Sequence, residues 1–199
     1  MYPYIETICL IDGILRNLRF HNRRMNLTRK MIFGSLNFID LQNCIQIPEK
    51  FRTGKYKVRV LYTQDIIDIH IHEYQIVPIE TLKAVEMRQD FTYFYKSSQR
   101  QYFATLLNEH NCHDLILMRN RVLTDTTYTN LIFFDGARWF SPKQCLLAGC
   151  MRQALLEEGK IELATIRLDD LKSFRSFKRI NAMMNFDEAQ ELPISAIIF

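Results

Sequence analysis

The stretch FTYFYKSSQRQYFATLL, residues 91–107, sets one lysine between an aromatic run and a polar segment with helical spacing. A lysine that closes an apolar strand loses hydration of its charged form, which favours a neutral, nucleophilic amine near neutral pH. The competing reading lays the Lys96 stem along apolar surface and lets the ammonium reach water. Downstream, Gln99 to Glu109 reads as a helix and Asp114 to Met118 as a buried strand. Asn130 to Phe134 reads as a further strand, Asp135-Gly136 as a hairpin turn and Arg138-Trp139-Phe140 as the return. Gly149 opens a helix through Glu158 that Gly159 closes. Lys160 to Leu168 reads as a strand, Asp169 as the cap of a short helix through Arg175, and Ile180 to Met184 as renewed extended structure.

Upstream, Tyr4 to Leu10 and Ile14 to Leu18 flank a turn at Ile11-Asp12-Gly13, a β-hairpin signature. Phe20 to Phe38 carries Met25, Leu27, Ile32 and Leu36 near helical spacing, with Arg23, Arg24, Arg29 and Lys30 on a face expected to be solvated. Tyr56 to Tyr62 and Ile67 to Ile71 each alternate with period two and read as a second hairpin, ended by Pro78. His70 and His72 share one face of that strand and are expected to be solvated, with no metal site; His110-Asn111-Cys112-His113-Asp114 reads as a polar loop. The expected architecture is α+β with mixed sheets in two lobes, a small N-terminal lobe at 1–82 and a larger one at 83–199.

The 199 residues, 48% of them hydrophobic, suffice to bury a sizeable core without disulfides or structural metal. Lys and Arg number 26 against 22 Asp and Glu, and the surplus of +4 is spread along the chain, so nucleic-acid binding gains no support and a small anionic ligand is compatible. Five scattered cysteines without a CxxC pair, no basic leader in residues 1–10 and no long apolar run point to a soluble cytoplasmic protein that does not span a membrane.

Four features could serve a lysine amine. Arg59 lies on the strand face opposite the apolar row, where a guanidinium can grip phosphate with two parallel bonds. Gly149-Cys150-Met151 begins a helix whose first amides can bind an anion. Asp125, in the apparent polar turn Thr124-Asp125-Thr126-Thr127, could face a ring nitrogen, and Asn181 offers an amide donor. Each also has an ordinary structural explanation as a strand, turn or strand-end residue.

Their order resembles that of the fold-type IV pyridoxal-phosphate (PLP) enzymes, the class IV aminotransferases, over most of the chain. Glu6-Thr7 and His21-Asn22-Arg23-Arg24-Met25 resemble the family's Glu-Thr and His-x-x-Arg-Leu segments, and Lys57-Val58-Arg59-Val60 its phosphate-arginine strand. Lys96-Ser97-Ser98-Gln99-Arg100-Gln101-Tyr102 is similar to the Schiff-base lysine segment of short lyase-like members. Leu123-Thr124-Asp125 through Thr129-Asn130-Leu131 resembles Thr-Glu-x-x-x-x-Asn, Ser141-Pro142 resembles Thr-Pro, and Leu147-Ala148-Gly149-Cys150-Met151-Arg152 resembles Leu-Pro-Gly-Ile-Thr-Arg. Asn181-Ala182-Met183 is similar to the lyases' Asn-Ala-Leu.

The resemblance implies that Lys96 holds PLP covalently and moves the substrate proton. It implies a cofactor site of Arg59, Asp125, Asn130, Gly149, Cys150, Met151 and Asn181, with Arg100 and Tyr102 toward a small anionic amino substrate. It also implies a homodimer. The family's Glu, Thr and Pro are replaced here by Asp125, Met151 and Ala148. The short length and the Lys96 and Asn181 segments favour 4-amino-4-deoxychorismate lyase, forming 4-aminobenzoate for folate biosynthesis. The alternatives are a branched-chain or D-amino-acid type aminotransferase, or an inactive relative of the fold.

Overall fold

The computed structural model describes residues 2–199, and the chain divides into two units. One runs up to Ile76 and regains Tyr95–Gln99; the other comprises Val77–Phe94 and Arg100–Phe199.

In the first unit β1 (Tyr4–Ile11) and β2 (Ile14–Leu15) turn about Asp12 and Gly13, at φ 49° and 76°. Those left-handed conformations match the right-handed twist of the strands, which is why Asp-Gly sits there. The strands β3 (Lys55–Tyr62) and β4 (Ile66–Glu73) complete an antiparallel sheet in the order β2-β1-β3-β4. Period-two alternation sends Ile8, Leu10, Val58, Val60 and Tyr62 to one face, where Met25 of helix α1 (Leu18–Phe33) and Leu41 of the short helix α2 (Leu41–Cys44) cover them.

Helix α1 stops before the expected Phe38 because Gly34 takes the left-handed cap conformation at φ 71°, leaving Leu36 exposed. Its basic face is not uniformly solvated. Arg29 is 1% exposed and donates to the main-chain oxygens of Gln64 and Asn37 and to the side chains of Asn26 and Asn37. Several acceptors arranged around one guanidinium make that burial tolerable.

The second unit is built on a mixed sheet ordered β10-β9-β8-β7-β6-β5-β13, with β11 on β8 and β12 on β11. Its strands are β5 (Leu82–Glu86), β6 (Leu115–Arg119), β7 (Val122–Thr126), β8 (Asn130–Phe134) and β9 (Trp139–Pro142), then β10 (Glu162–Ala164), β11 (Ser176–Ile180), β12 (Glu191–Pro193) and β13 (Ile197–Ile198). Helix α3 (Gln101–His110) buries Phe103 and Leu106 against Leu115, Leu117 and Val85. Helix α4 (Cys150–Glu157) packs Met151 and Leu155 on Ile132 and Ile180.

Four local expectations are corrected. Residues 91–95 form no strand: Phe91 stacks on Tyr102 at 4.0 Å, and Tyr93 meets Phe103 edge-on at 5.0 Å, so ring packing replaces sheet pairing. The strand expected over 160–168 shrinks to β10. The short helix after it is capped at Arg167 and not at Asp169, with the Arg167 amide donating to the side chain of Asp170 at 2.8 Å. The extended segment expected at 180–184 ends where it was to begin, since β11 precedes a turn closed by Asn181 and Met184.

Candidate active site

In the first unit Lys96 lies in a strand-like edge laid on β1. Its carbonyl accepts from the Ile5 amide at 2.9 Å, Ser97 bridges to Tyr4, and the Ser98 amide donates to the Pro3 carbonyl at 2.9 Å. These two main-chain hydrogen bonds, which together make the bridge, fix the backbone on which the half-buried lysine stands. Arg59 sits mid-strand in β3, opposite Thr7 on β1 and His70 on β4. It is half-buried, and among the described residues its guanidinium has no side-chain hydrogen bond or ion pair.

Arg24 behaves oppositely. It donates to both oxygens of Glu6 at 2.8 and 2.6 Å, and His21 Nδ1 lies 2.6 Å from Glu6 Oε2. Burial alone would raise the Glu6 carboxyl, but the charge and hydrogen bonds of Arg24, together with His21, outweigh it and hold the group at about 2. The Glu6 and His21 segments are therefore knitted to each other inside the unit.

In the second unit Asp125 is not in a turn. It lies in β7, only 4% exposed, beside Asn130 of β8 in the cross-strand register; the turn is closed by Thr126, whose hydroxyl accepts from the Thr129 amide at 2.9 Å. A run of three threonines around an aspartate reads as a loop, yet β-branched threonines suit a strand once their hydroxyls find partners. Oδ1 of Asp125 accepts from Asn130 Nδ2 at 2.8 Å, while Oδ2 accepts from the Leu146 and Leu147 amides at 2.8 and 3.0 Å. Burial raises the carboxyl to about 6, and these three donors with the more distant Arg152 charge oppose the rise without cancelling it.

Asn130 also donates to the Leu147 carbonyl at 3.0 Å. Its Oδ1 lies so close to Gly149 that a Cβ there would come within 1.9 Å, so only glycine lets the chain enter α4 on this path. The first bond of the helix ladder runs from the Gln153 amide to the Gly149 carbonyl, which places the Cys150 and Met151 amides ahead of it, at the positive end of the helix. Asn181 follows Ile180, the partner of Asn130 across β8 and β11. Its Oδ1 accepts from the Met183 and Met184 amides, leaving Nδ2 as a donor. Asp125 and Asn130 are thus hydrogen-bonded to each other and to Leu146 and Leu147, Asn130 packs against Gly149 at the entry to α4, and Asn181 lies just past the neighbouring strand.

Arg100 and Tyr102 are engaged within the second unit. The Arg100 guanidinium lies over the Phe103 and Tyr128 rings at 4.5 and 4.9 Å and donates to the Thr127 carbonyl. The Tyr102 hydroxyl accepts from the Arg88 amide at 2.9 Å.

Two buried networks escaped the sequence reading. Arg152, 3% exposed, donates to Ser141 Oγ and the Pro142 carbonyl, both at 2.9 Å, and ties α4 to β9. Asp114, 2% exposed and not part of a solvated loop, meets Arg179 at 3.2 Å and receives the Thr127 amide and hydroxyl. The Ser-Pro and Arg spacing was the available signal for the first; nothing local marks the second, whose partners are 65 residues apart. On β4 the exposed His70 and His72 rings lie 5.7 Å apart, and His70 contacts Asp68.

The model of the family described as amino-transferase class IV matches residues 4–191. The chain belongs to this family. It is thereby a pyridoxal-phosphate-dependent enzyme of class IV with the fold-type IV architecture. It is 32% identical over 186 residues to an uncharacterized protein of Haemophilus influenzae, covering 92% of this chain and 98% of the other. A candidate 4-amino-4-deoxychorismate lyase of Haemophilus somnus 129pt superposes with TM-score 0.84 at 28% identity, covering 94% of this chain and 98% of that one. The branched-chain amino acid aminotransferase of Escherichia coli shares the fold alone, with TM-score 0.69 at 14% identity over 98% of this chain and 76% of its own.

The residues present fit the family's cofactor by their chemistry. The first unit offers a guanidinium without an internal partner at Arg59, and the second offers helix-start amides reached through an obligatory glycine and an amide donor at Asn181; each is a donor type that suits a phosphate dianion. Among the described residues no helix is long and apolar enough to cross a membrane.

Proposed function

We propose that this enzyme binds pyridoxal phosphate and acts as a 4-amino-4-deoxychorismate lyase, eliminating pyruvate from its substrate to leave 4-aminobenzoate. The observation carrying the reading is the likeness to the Haemophilus somnus protein, which spans nearly the full length of both chains. The cofactor, when bound, withdraws electrons from the carbon bearing the substrate's amino group. Lys96 would carry it covalently and, once displaced by the substrate amine, take the proton from that carbon and later return a proton to the departing three-carbon unit. Arg59, the amides of Cys150 and Met151, and the Asn181 amide would hold the phosphate. Loss of the ring proton and the enolpyruvyl group leaves an aromatic amine, so elimination is driven by aromatisation and needs no second substrate.

Incubation with aminodeoxychorismate alone tests this: stoichiometric 4-aminobenzoate and pyruvate are expected. No product from it, but amino transfer between amino acids and oxo acids, would make the protein an aminotransferase, a reading favoured by the fold shared with the Escherichia coli enzyme. The same proposal includes a cytoplasmic homodimer, for which light scattering should give twice the 23.8 kDa chain mass.

A further inference from the structure

We infer that Asp125, with Asn130, is a positioning residue that clamps the 146–149 loop and so sets the first turn of α4, the turn assigned to the phosphate in the reading above. The family resemblance gives this position to a carboxylate facing the cofactor ring; the hydrogen bonds give it a different task. Three donors converge on Asp125: the Leu146 and Leu147 amides on one oxygen and Asn130 Nδ2 on the other. An ionised carboxylate accepts on both oxygens and donates on neither, so it alone among side chains of this size meets all three. Asn130 completes the clamp. Its Nδ2 also grips the Leu147 carbonyl, and its Oδ1 fills the space where a Gly149 Cβ would stand, so Leu146, Leu147 and Gly149 are all referenced to β7 and β8. The shorter aspartate suits this task. One methylene more would drive the carboxylate into donors already at 2.8 to 3.0 Å in a site 4% exposed.

Two substitutions separate this task from its rivals. In Asp125→Asn, one half of the amide must present hydrogens to a donor whichever way it is turned. If Asp125 served chiefly the ring nitrogen, Asp125→Asn would keep cofactor affinity and lose turnover, and Asp125→Glu would keep or raise activity. If it were merely a turn-former, asparagine would be tolerated and glutamate would not. The clamp requires both to loosen the loop.

The test is amide hydrogen exchange on the protein without added cofactor, with PLP and inorganic phosphate titrated separately. In the unsubstituted protein Leu146 and Leu147 should be protected. In Asp125→Asn and Asp125→Glu they should exchange about tenfold faster or more, while Leu117 in β6 keeps its protection. Phosphate and PLP affinity should fall about tenfold, and activity lost at low PLP should return as PLP is raised. A second pair of variants keeps the test open if Asp125 substitutions fail to fold: Gly149→Ala should be disruptive alone and much less so combined with Asn130→Ala, which removes the atom it strikes. Unprotected Leu146 and Leu147 amides in the unsubstituted protein, or protection unchanged in a folded Asp125→Asn, would overturn the clamp whatever the protein's reaction proves to be. Failure of the unsubstituted protein to bind PLP would overturn the functional reading and leave the exchange result standing.

Discussion

Glu6 and Asp125 are both carboxylates shut away from water, one in each unit, and they are held in opposite ways. Glu6 is met by a guanidinium and an imidazole, so its charge is compensated and its carboxyl is held at about 2. Asp125 is met at hydrogen-bond distance only by neutral donors, two backbone amides and a side-chain amide, and burial lifts its carboxyl to about 6. Opposite charge stabilises a buried anion strongly, whereas dipoles orient it without fully offsetting lost hydration. The first arrangement suits a strut, the second a device that fixes where a loop runs.

The largest expected difference follows from removing each charge. Glu6→Gln removes the fully buried charge that Arg24 and His21 both meet and should destabilise the protein by roughly 3 kcal/mol, read as the midpoint in urea. Asp125→Asn should change global stability far less, because relief of an uncompensated buried charge offsets a lost acceptor. Equal losses in the two variants would break the comparison.

Acid sharpens it, since the two groups contribute with opposite sign. Glu6 is depressed below its ordinary 4.5, so its stabilisation is complete above that value and is lost as pH falls from 4.5 toward 2. That loss amounts to roughly 3 kcal/mol. Asp125 is raised above its ordinary 3.8, so the folded state holds the proton more tightly and gains stability as pH falls from about 6 to 3.8. Melts between pH 7 and 4.5 should thus show a gain on acidification that disappears in Asp125→Asn and persists in Glu6→Gln. A gain that survives Asp125→Asn would assign it to another group.

The smallest effect on stability is expected where a buried strut is absent. Arg59 has no internal partner among the described residues, so Arg59→Ala should leave the melting midpoint nearly unchanged, within about 0.5 kcal/mol. PLP affinity should nevertheless fall roughly ten- to a hundredfold, the worth of a charge-assisted paired contact. A large stability loss with unaltered affinity would make Arg59 a structural residue like Arg24.

What the sequence disclosed and withheld follows the range of the interactions. The Asp12-Gly13 hairpin, the alternating β3 and β4, and α4 closed by Gly159 rest on contacts within a few residues, and each is readable from local pattern. Local pattern singles out Asp125 but puts it in a turn, since the donors that permit its burial in β7 come from Leu146 and Leu147, some twenty positions on. Arg29 likewise reads as solvated until Gln64 and Asn37 supply its acceptors. The aromatic run before Lys96 looks like a strand because period and composition agree, yet Tyr102 and Phe103 of α3 claim those rings. The lysine segment finds its sheet edge on β1, ninety residues earlier, which no local pattern announces.

The assignment on which the enzymatic account turns is the amine that carries the cofactor. Lys96 stands on a backbone fixed to β1 by main-chain hydrogen bonds. Borohydride reduction of the PLP-loaded protein followed by peptide mass mapping reads it directly. The expected result is a single pyridoxyl group on Lys96, absent in Lys96→Ala; a label on another lysine, or unaltered labelling of the Lys96→Ala protein, would contradict the account.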